Sequence, residues 1–214
     1  MHVSTSRLRA LLAAAALFAA AAPLGAQAFA YPSFQAPRTI AHEYNFGLAD
    51  SDGATSLLFQ WRAGRGAKSQ LSLDFGVADT PADAALFIGG QFAQQLARST
   101  ADMPLDLLLT VGANIASGND ITIFRVPVGV SVGHRFPLEG GLALTPYVHP
   151  RLTFANCGDC GLADDSDIGI EFDLGADFEF SPQFAVRLSA LMAGNDTFVD
   201  DAFGISLAWK PGRR

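Results

Sequence analysis

The segment Ile168 to Phe180, IGIEFDLGADFEF, places Glu171, Asp173, Asp177 and Glu179 on one parity and Ile170, Phe172, Leu174, Phe178 and Phe180 on the other. Successive side chains of a strand point to opposite faces, so this segment has an acidic face and an apolar face. In a soluble sheet the apolar face meets a core and the acids meet water; in a membrane barrel the apolar face meets lipid and the acids point into a lumen. The alternation recurs. QLSLDFGVA sets Leu71, Leu73, Phe75 and Val77 against Ser72, Asp74, Gly76 and Ala78, and PLDLLLTVGANI sets Leu105, Leu107, Leu109, Val111 and Ile115 against Asp106, Thr110, Gly112 and Asn114. In TIFRVPVGVSVGHRF, Phe124, Val126, Val128, Val130 and Val132 oppose Arg125, Gly129, Ser131, Gly133 and Arg135. Arg62, Arg151 and Arg187 also fall on the polar parity of their strands, as do Glu43, Asp74 and Asp106, so nearly all strand charges share one surface.

Ten segments carry the pattern, at roughly 40–49, 55–63, 70–78, 84–95, 104–116, 121–135, 142–155, 168–180, 183–193 and 202–210. Their lengths cluster near the roughly 9–11 residues that cross a bilayer as a tilted strand, beyond the roughly 5–6 of a typical soluble one. No stretch has helical periodicity, and no apolar run past the N-terminal region is long enough for a membrane helix. Connections are short and rich in Gly, Asp, Asn, Pro and Ser. Half of the 214 residues are hydrophobic and only 16% are charged, which excludes a disordered chain. A pI of about 4.9 and the absence of a Lys/Arg-rich run exclude a nucleic-acid partner.

The first residues read as an address. MHVSTSRLR carries Arg7 and Arg9, ALLAAAALFAAAA is an apolar core, and AQA at Ala26 to Ala28 offers small residues for cleavage, so residues 1–28 are predicted to be a secretory signal peptide. The alternative, a membrane anchor, needs about 20 apolar residues, and this run stops at Pro23-Leu24-Gly25. Residues 29–39 follow as a short extended leader, 40–210 as the barrel domain and 211–214 as a basic tail.

Alternate connections differ in charge. ADSDGAT, ADTPADA, SGND, NCGDCGLADDSD and AGNDTFVDD contain many Asp and no Lys or Arg, whereas the other set and the tail are mainly basic, with Arg65, Lys68, Arg98, Lys210, Arg213 and Arg214 against Asp102 and Glu139. An even strand number puts both termini at the basic end, the periplasmic end in bacterial barrels. Trp61, Phe136, Phe180 and Trp209 lie on the apolar parity at that end, where an interfacial girdle belongs.

On these features the chain resembles the small bacterial outer-membrane β-barrel families, the OmpA/OmpX-like group in the broad sense, over residues 40 to 210. The last strand AFGISLAW, with Phe203, Ile205, Leu207 and Trp209, looks like their assembly signal, although KPGRR follows the aromatic on which they commonly end. The predicted fold is all-β, an antiparallel up-and-down transmembrane β-barrel of ten strands, with eight as the alternative. Its lumen is expected to hold a network of Glu43, Arg62, Asp74, Asp106, Arg125, Arg135, Arg151, Glu171, Asp173, Asp177, Glu179 and Arg187, paired across strands, with Gly129, Gly133, Gly169 and Gly175 leaving room for the arginines. Side chains fill barrels of this size, so a plugged lumen is expected rather than a general porin. Pro127, Pro146 and Pro150 each remove a ladder donor, and bulges or local fraying are expected there.

Chemistry is sparse. Cys157 and Cys160 in CGDC are expected to form a local disulfide in an exported chain, without the helix a thioredoxin-like site needs and without a nearby His for zinc. Asp164, Asp165, Asp167, Asp196, Asp200 and Asp201 are oxygen ligands suited to divalent cations that could bridge to anionic lipid, or simply solvated loop charges. His42 and His134 lie on the apolar parity and His149 lies mid-strand beside Arg151; none is near the acidic loops, so no catalytic residue, cofactor or enzymatic activity is expected. The functional expectation is a monomer in the outer membrane of a Gram-negative-type bacterium, contacting its lipid, with a structural or surface-interaction role. The alternatives are a narrow cation-preferring pore, and a soluble periplasmic β-barrel whose inverted phase would bind an apolar ligand.

Overall fold

The structure is a computed structural model that describes residues 31–51, 54–79, 84–118, 121–158, 166–194 and 199–212. Its strands are β1 (His42–Ser51), β2 (Ala54–Arg65), β3 (Ser69–Asp79), β4 (Ala84–Ala97), β5 (Asp106–Gly118), β6 (Ile121–Gly133), the two-residue β7 (Phe136–Pro137), β8 (Ala143–Gly158), β9 (Ser166–Glu179), β10 (Phe184–Ala193) and β11 (Ala202–Trp209). Each long strand runs antiparallel to its sequence neighbour, β1 pairs with β11, and β6 pairs with β8 past the short β7. The sheet therefore closes into a barrel of ten long strands, and the eight-strand alternative does not apply. β1 begins and β11 finishes at the same end, called here the terminal end; the other is the distal end.

Parity decides the two faces. Glu171 and Asp173 are fully buried and Asp177 nearly so, whereas the alternate Ile170 and Phe178 are 68% and 40% exposed. Leu57, Leu73, Phe75, Leu86 and Ile88 are likewise more than half exposed on the outer wall. Monomeric soluble proteins rarely expose contiguous apolar patches of more than a few hundred Å². The inverted phase is overturned by this arrangement: the apolar side chains face out and the polar ones face in, so the interior is no apolar ligand cavity.

The prolines act on one side of their strands. Between β5 and β6 the pairs Gly112–Pro127 and Ala113–Val126 are missing, and between β6 and β8 the pairs opposite Pro150 and His149 are missing. In both places the register is the same before and after the gap. Pairing of β8 with β9 runs unbroken through Pro146 and Pro150. A proline lacks one N–H, which would have pointed to a single neighbour, so the opposite ladder is spared. The register shift is elsewhere, at Leu96, between Gln95 and Ala97 on β4. Pro150→Val is expected to restore a donor toward β6 and raise stability by about 1 kcal/mol. A higher urea midpoint of the refolded barrel would show it; an unchanged midpoint would mean the missing bond has no net value.

Candidate functional site

The interior is built in layers. Toward the distal end, Leu58, Ala78, Ala85, Phe87, Ala116 and Ile123 point inward from neighbouring strands and form an apolar cluster. At mid-height and toward the terminal end most inward positions are polar or charged, with Leu108, Tyr147 and several alanines among them. Into this space runs the segment before β1, residues 31–40, which enters at the terminal end and climbs past mid-height.

Its contacts are specific. Arg38 lies 3.4 Å from Asp106 at the terminal end. Thr39 N donates to Gln95 Oε1 (2.9 Å), Ile40 N donates to Gln70 Oε1 (2.9 Å), and Gln95 Nε2 donates to Pro37 O (2.9 Å). Gln35 is fully buried, accepts from Ser131 Oγ (2.7 Å) at its carbonyl and from Gln91 Nε2 (3.0 Å) at its amide oxygen. Ser33 O accepts from Arg62 Nη2 (3.0 Å), and Ser33 Oγ donates to Asp173 Oδ2 (2.5 Å). Phe34 is fully buried, and a Cβ on Gly47 or Gly204 would lie 3.3 or 2.5 Å from its ring. Glycine at these two positions therefore makes a slot for the ring. Phe34 has a φ of 48°, a left-handed backbone that a bulky side chain adopts only where its surroundings compel it. Tyr31 stacks on Phe87 with ring centroids 4.7 Å apart.

The charges pair in groups. Glu43 accepts from Arg62 Nη1 (3.0 Å) and from Arg187 Nη1 and Nη2 (both 2.7 Å), and Arg187 also reaches Asp177 at 3.3 Å. Arg151 lies 3.2 Å from Glu171 and 3.0 Å from Asp173, while Arg125 contacts Glu171. Nearer the terminal end, Glu179 is bound by Arg135 (2.6 Å) and Lys210 (3.0 Å). Of the twelve lumen residues expected from the sequence, eleven thus fall into ion pairs and Asp74 stands apart, while Arg135 lies beyond β6 rather than in it. The glycines behave differently from expectation. Gly129 faces Arg151 and His149, but Gly175 faces the Tyr147 ring and Gly133 faces Pro37 and Tyr147.

A closed wall, apolar outside and charge-filled inside, can be stable only with lipid around it. The fold is that of an outer-membrane β-barrel. No protein-family model matches the chain, and no curated protein does. Among solved structures it is similar to the beta domain of the Bordetella autotransporter Brka (13% identity, TM-score 0.45, covering 79% of this chain and 98% of that one). It is also similar to KdgM porin (6%, 0.42, 79% and 99%) and to LpxR from Salmonella typhimurium (12%, 0.44, 86% and 80%).

The terminal end of the barrel carries the aromatics. Trp209 stacks on Tyr44 (5.5 Å), Trp61 meets His42 edge-on (6.2 Å), Phe180 stacks on Phe184 (6.1 Å) and Phe136 packs against His134 (4.5 Å). Tyr44 and Phe184 extend the girdle beyond the four residues read from sequence. At the distal end, Cys157 is disulfide-bonded, and Cys160 lies outside the described residues. Asp164, Asp165 and Asp196 also lie outside them. Asp167 Oδ1 accepts from Ile168 N (2.7 Å) and Asp201 Oδ1 from Ala193 N (2.8 Å), and no group of three metal-ligating residues exists among the described residues.

Proposed function

We propose that the chain resides in the outer membrane of a Gram-negative-type bacterium as a monomeric barrel whose lumen is plugged by its own leader, and that its role is structural or in surface interaction. The supporting observation is the seating of residues 31–40, in which Phe34 and Gln35 are fully buried among inward-facing side chains. The outward apolar wall supplies the contact with lipid. Orientation follows from charge: at the strand ends and connections, the described terminal-end residues include Arg65, Lys68, Arg98 and Arg135 against Asp102 and Glu139, whereas the described distal ones include Asp50, Asp79, Asp167 and Asp201 and no Lys or Arg, so the distal end is assigned to the exterior. Its acids are the candidates for divalent cations bridging to anionic lipid.

The reading includes no catalytic role. His149 Nε2 lies 2.8 Å from Thr110 Oγ1 and its Nδ1 lies 2.9 Å from Ser33 Oγ and 3.4 Å from Asp173 Oδ2, which are the residue types of a hydrolytic relay. Thr110, His149 and Asp173 are all buried, and neither Thr110 nor His149 borders the cavity beside the leader. The cluster reads as a latch holding Ser33 in the wall of the barrel.

The test is planar-bilayer conductance. The wild-type chain is expected to give no steady current, and a variant lacking residues 31–37 is expected to open a persistent one. A wild-type barrel that conducts as well as the deletion variant would overturn the plug. A second reading, a narrow cation-preferring pore, rests on the inward acids Asp173 and Asp177. It predicts steady cation-selective current in the wild type that falls when Asp173 and Asp177 are replaced by Asn. Residence in the membrane is tested by gel mobility of detergent-extracted protein, boiled against unboiled, where a closed barrel shifts and a protein from the soluble fraction does not.

A further inference from the structure

The apolar wall is not equally tall around the barrel. On β1 the outward apolar run spans Tyr44 to Leu48, and on its seam partner β11 it spans Phe203 to Trp209. On β2 and β3 the runs are Leu57 to Ala63 and Leu71 to Val77. Across the barrel they lengthen to Leu144–Phe154 on β8 and to Ile168–Phe180 on β9 and just past it. A strand tilted by about 40° gains about 2.5 Å of height per residue, so the runs on the seam side stand about 10–15 Å tall and those opposite about 25–30 Å. Strand length follows the same division: β11 has 8 residues and β1 has 10, against 16 in β8 and 14 in β9.

Polar residues fix the edges of the short side. Asp50, Thr55 and Asp79 are exposed and lie opposite one another across β1, β2 and β3, and Thr55 Oγ1 donates to Asp50 Oδ2 (3.2 Å). At the terminal end of β2, Arg65 is exposed on the parity of Leu57. The apolar band of an outer-membrane barrel is about 25 Å tall. Hydrocarbon of that thickness would cover Asp50 and Asp79 at one edge or Arg65 at the other. Charge on the lipid face grows costlier with depth, whereas deforming lipid costs little per ångström of mismatch. The bilayer therefore yields before the wall does.

We propose that the face formed by β11, β1, β2 and β3 docks a locally thinned patch of bilayer, while the face formed by β8 and β9 carries membrane of full thickness. The occupant is lipid rather than a second copy of the chain. A copy related by a two-fold axis along the membrane normal would set its own Asp50 and Asp79 against these, like charge against like. The seam lies within this face, so the strand pair that closes the barrel is covered by little hydrocarbon. The inference rests on residence in a bilayer and is independent of the plug.

The test is the depth of single spin labels on the chain refolded into dioleoyl-phosphatidylcholine vesicles, read by relaxation with oxygen and with a nickel chelate. Phe46→Cys lies at mid-height of the short face and Leu174→Cys at mid-height of the tall one. Half of each wall height puts the Leu174→Cys label about 15 Å from the nearer surface and the Phe46→Cys label about 5–7 Å from it. Equal depths overturn the thinning. A Phe46→Cys label shielded from both relaxants places a second copy on this face and overturns it too. Nickel reaching the Leu174→Cys label means that no bilayer surrounds the barrel, and residence in the membrane then fails together with the inference. Should Phe46→Cys fail to refold, Phe59→Cys on β2 is read in its place.

Discussion

Glu43→Ala is expected to cost about 3–5 kcal/mol, enough to consume much of the stability of a typical domain. Glu43 is the hinge of the buried charge group: it takes one hydrogen bond from Arg62 and two from Arg187, and all three side chains are fully or almost fully buried. Alanine leaves Arg62 without a carboxylate and leaves Arg187 with only Asp177 at 3.3 Å. The loss comes less from missing attraction than from buried guanidinium groups left with too little negative charge beside them. Replacing the three residues together, Glu43→Leu with Arg62→Met and Arg187→Met, is expected to recover most of the stability, since no charge is then stranded. Urea unfolding of the refolded barrel measures both. A single variant within 0.5 kcal/mol of wild type would mean that water reaches these arginines.

Gly204→Leu is expected to unseat the leader while leaving the wall closed. A Cβ at Gly204 would come within 2.5 Å of the Phe34 ring and 3.1 Å of Leu48 O, so the ring has to leave its slot. Removing a buried phenylalanine from its site costs about 3–5 kcal/mol. The expected readouts are protease cleavage within residues 31–40 of the folded barrel and the appearance of steady current. Phe34→Ala should give the same result without crowding. A leader that stays protected in both variants would show that Ser33, Gln35 and Arg38 hold it without the aromatic anchor.

The wall was legible because lipid on one side and a polar lumen on the other impose a strict period of two, and that period survives in sequence. Glu171, Asp173 and Asp177 could be placed inside on parity alone, and their partners Arg151 and Arg187 followed from the order of strands. The leader was not legible. YPSFQAPRT has no periodicity, and its partners are far away in the chain: Ser33 meets Asp173, and Gln35 meets Ser131. One signal did exist. Leu58, Phe87, Leu108, Ile123 and Leu191 are apolar residues on the polar parity, and each is buried. Apolar side chains facing a lumen need something apolar to cover them, and Phe34 and Tyr31 do so at Leu58, Phe87 and Ile123. The inward glutamines Gln60, Gln70 and Gln95, which bond the leader backbone, and Gln91, which bonds the Gln35 side chain, were a second such signal. At Pro127 and Pro150 the gaps fall in one ladder only, because a missing N–H faces a single neighbour that the sequence does not name.

The pairing of β1 with β11 also fixes an order in time. The leader directly precedes β1, so the contents of the cylinder leave the ribosome before any of its wall, while the strand that seals it is made last. The segment is tethered to the first strand from the outset, so it is at hand whenever the sheet curls closed. The seam joins the two ends of the sheet across the greatest separation in the chain, which makes it the expected slow step. A leader supplied as a separate peptide after the seam has formed should not substitute for the tethered one, because its place is occupied at the moment of closure or is lost to it.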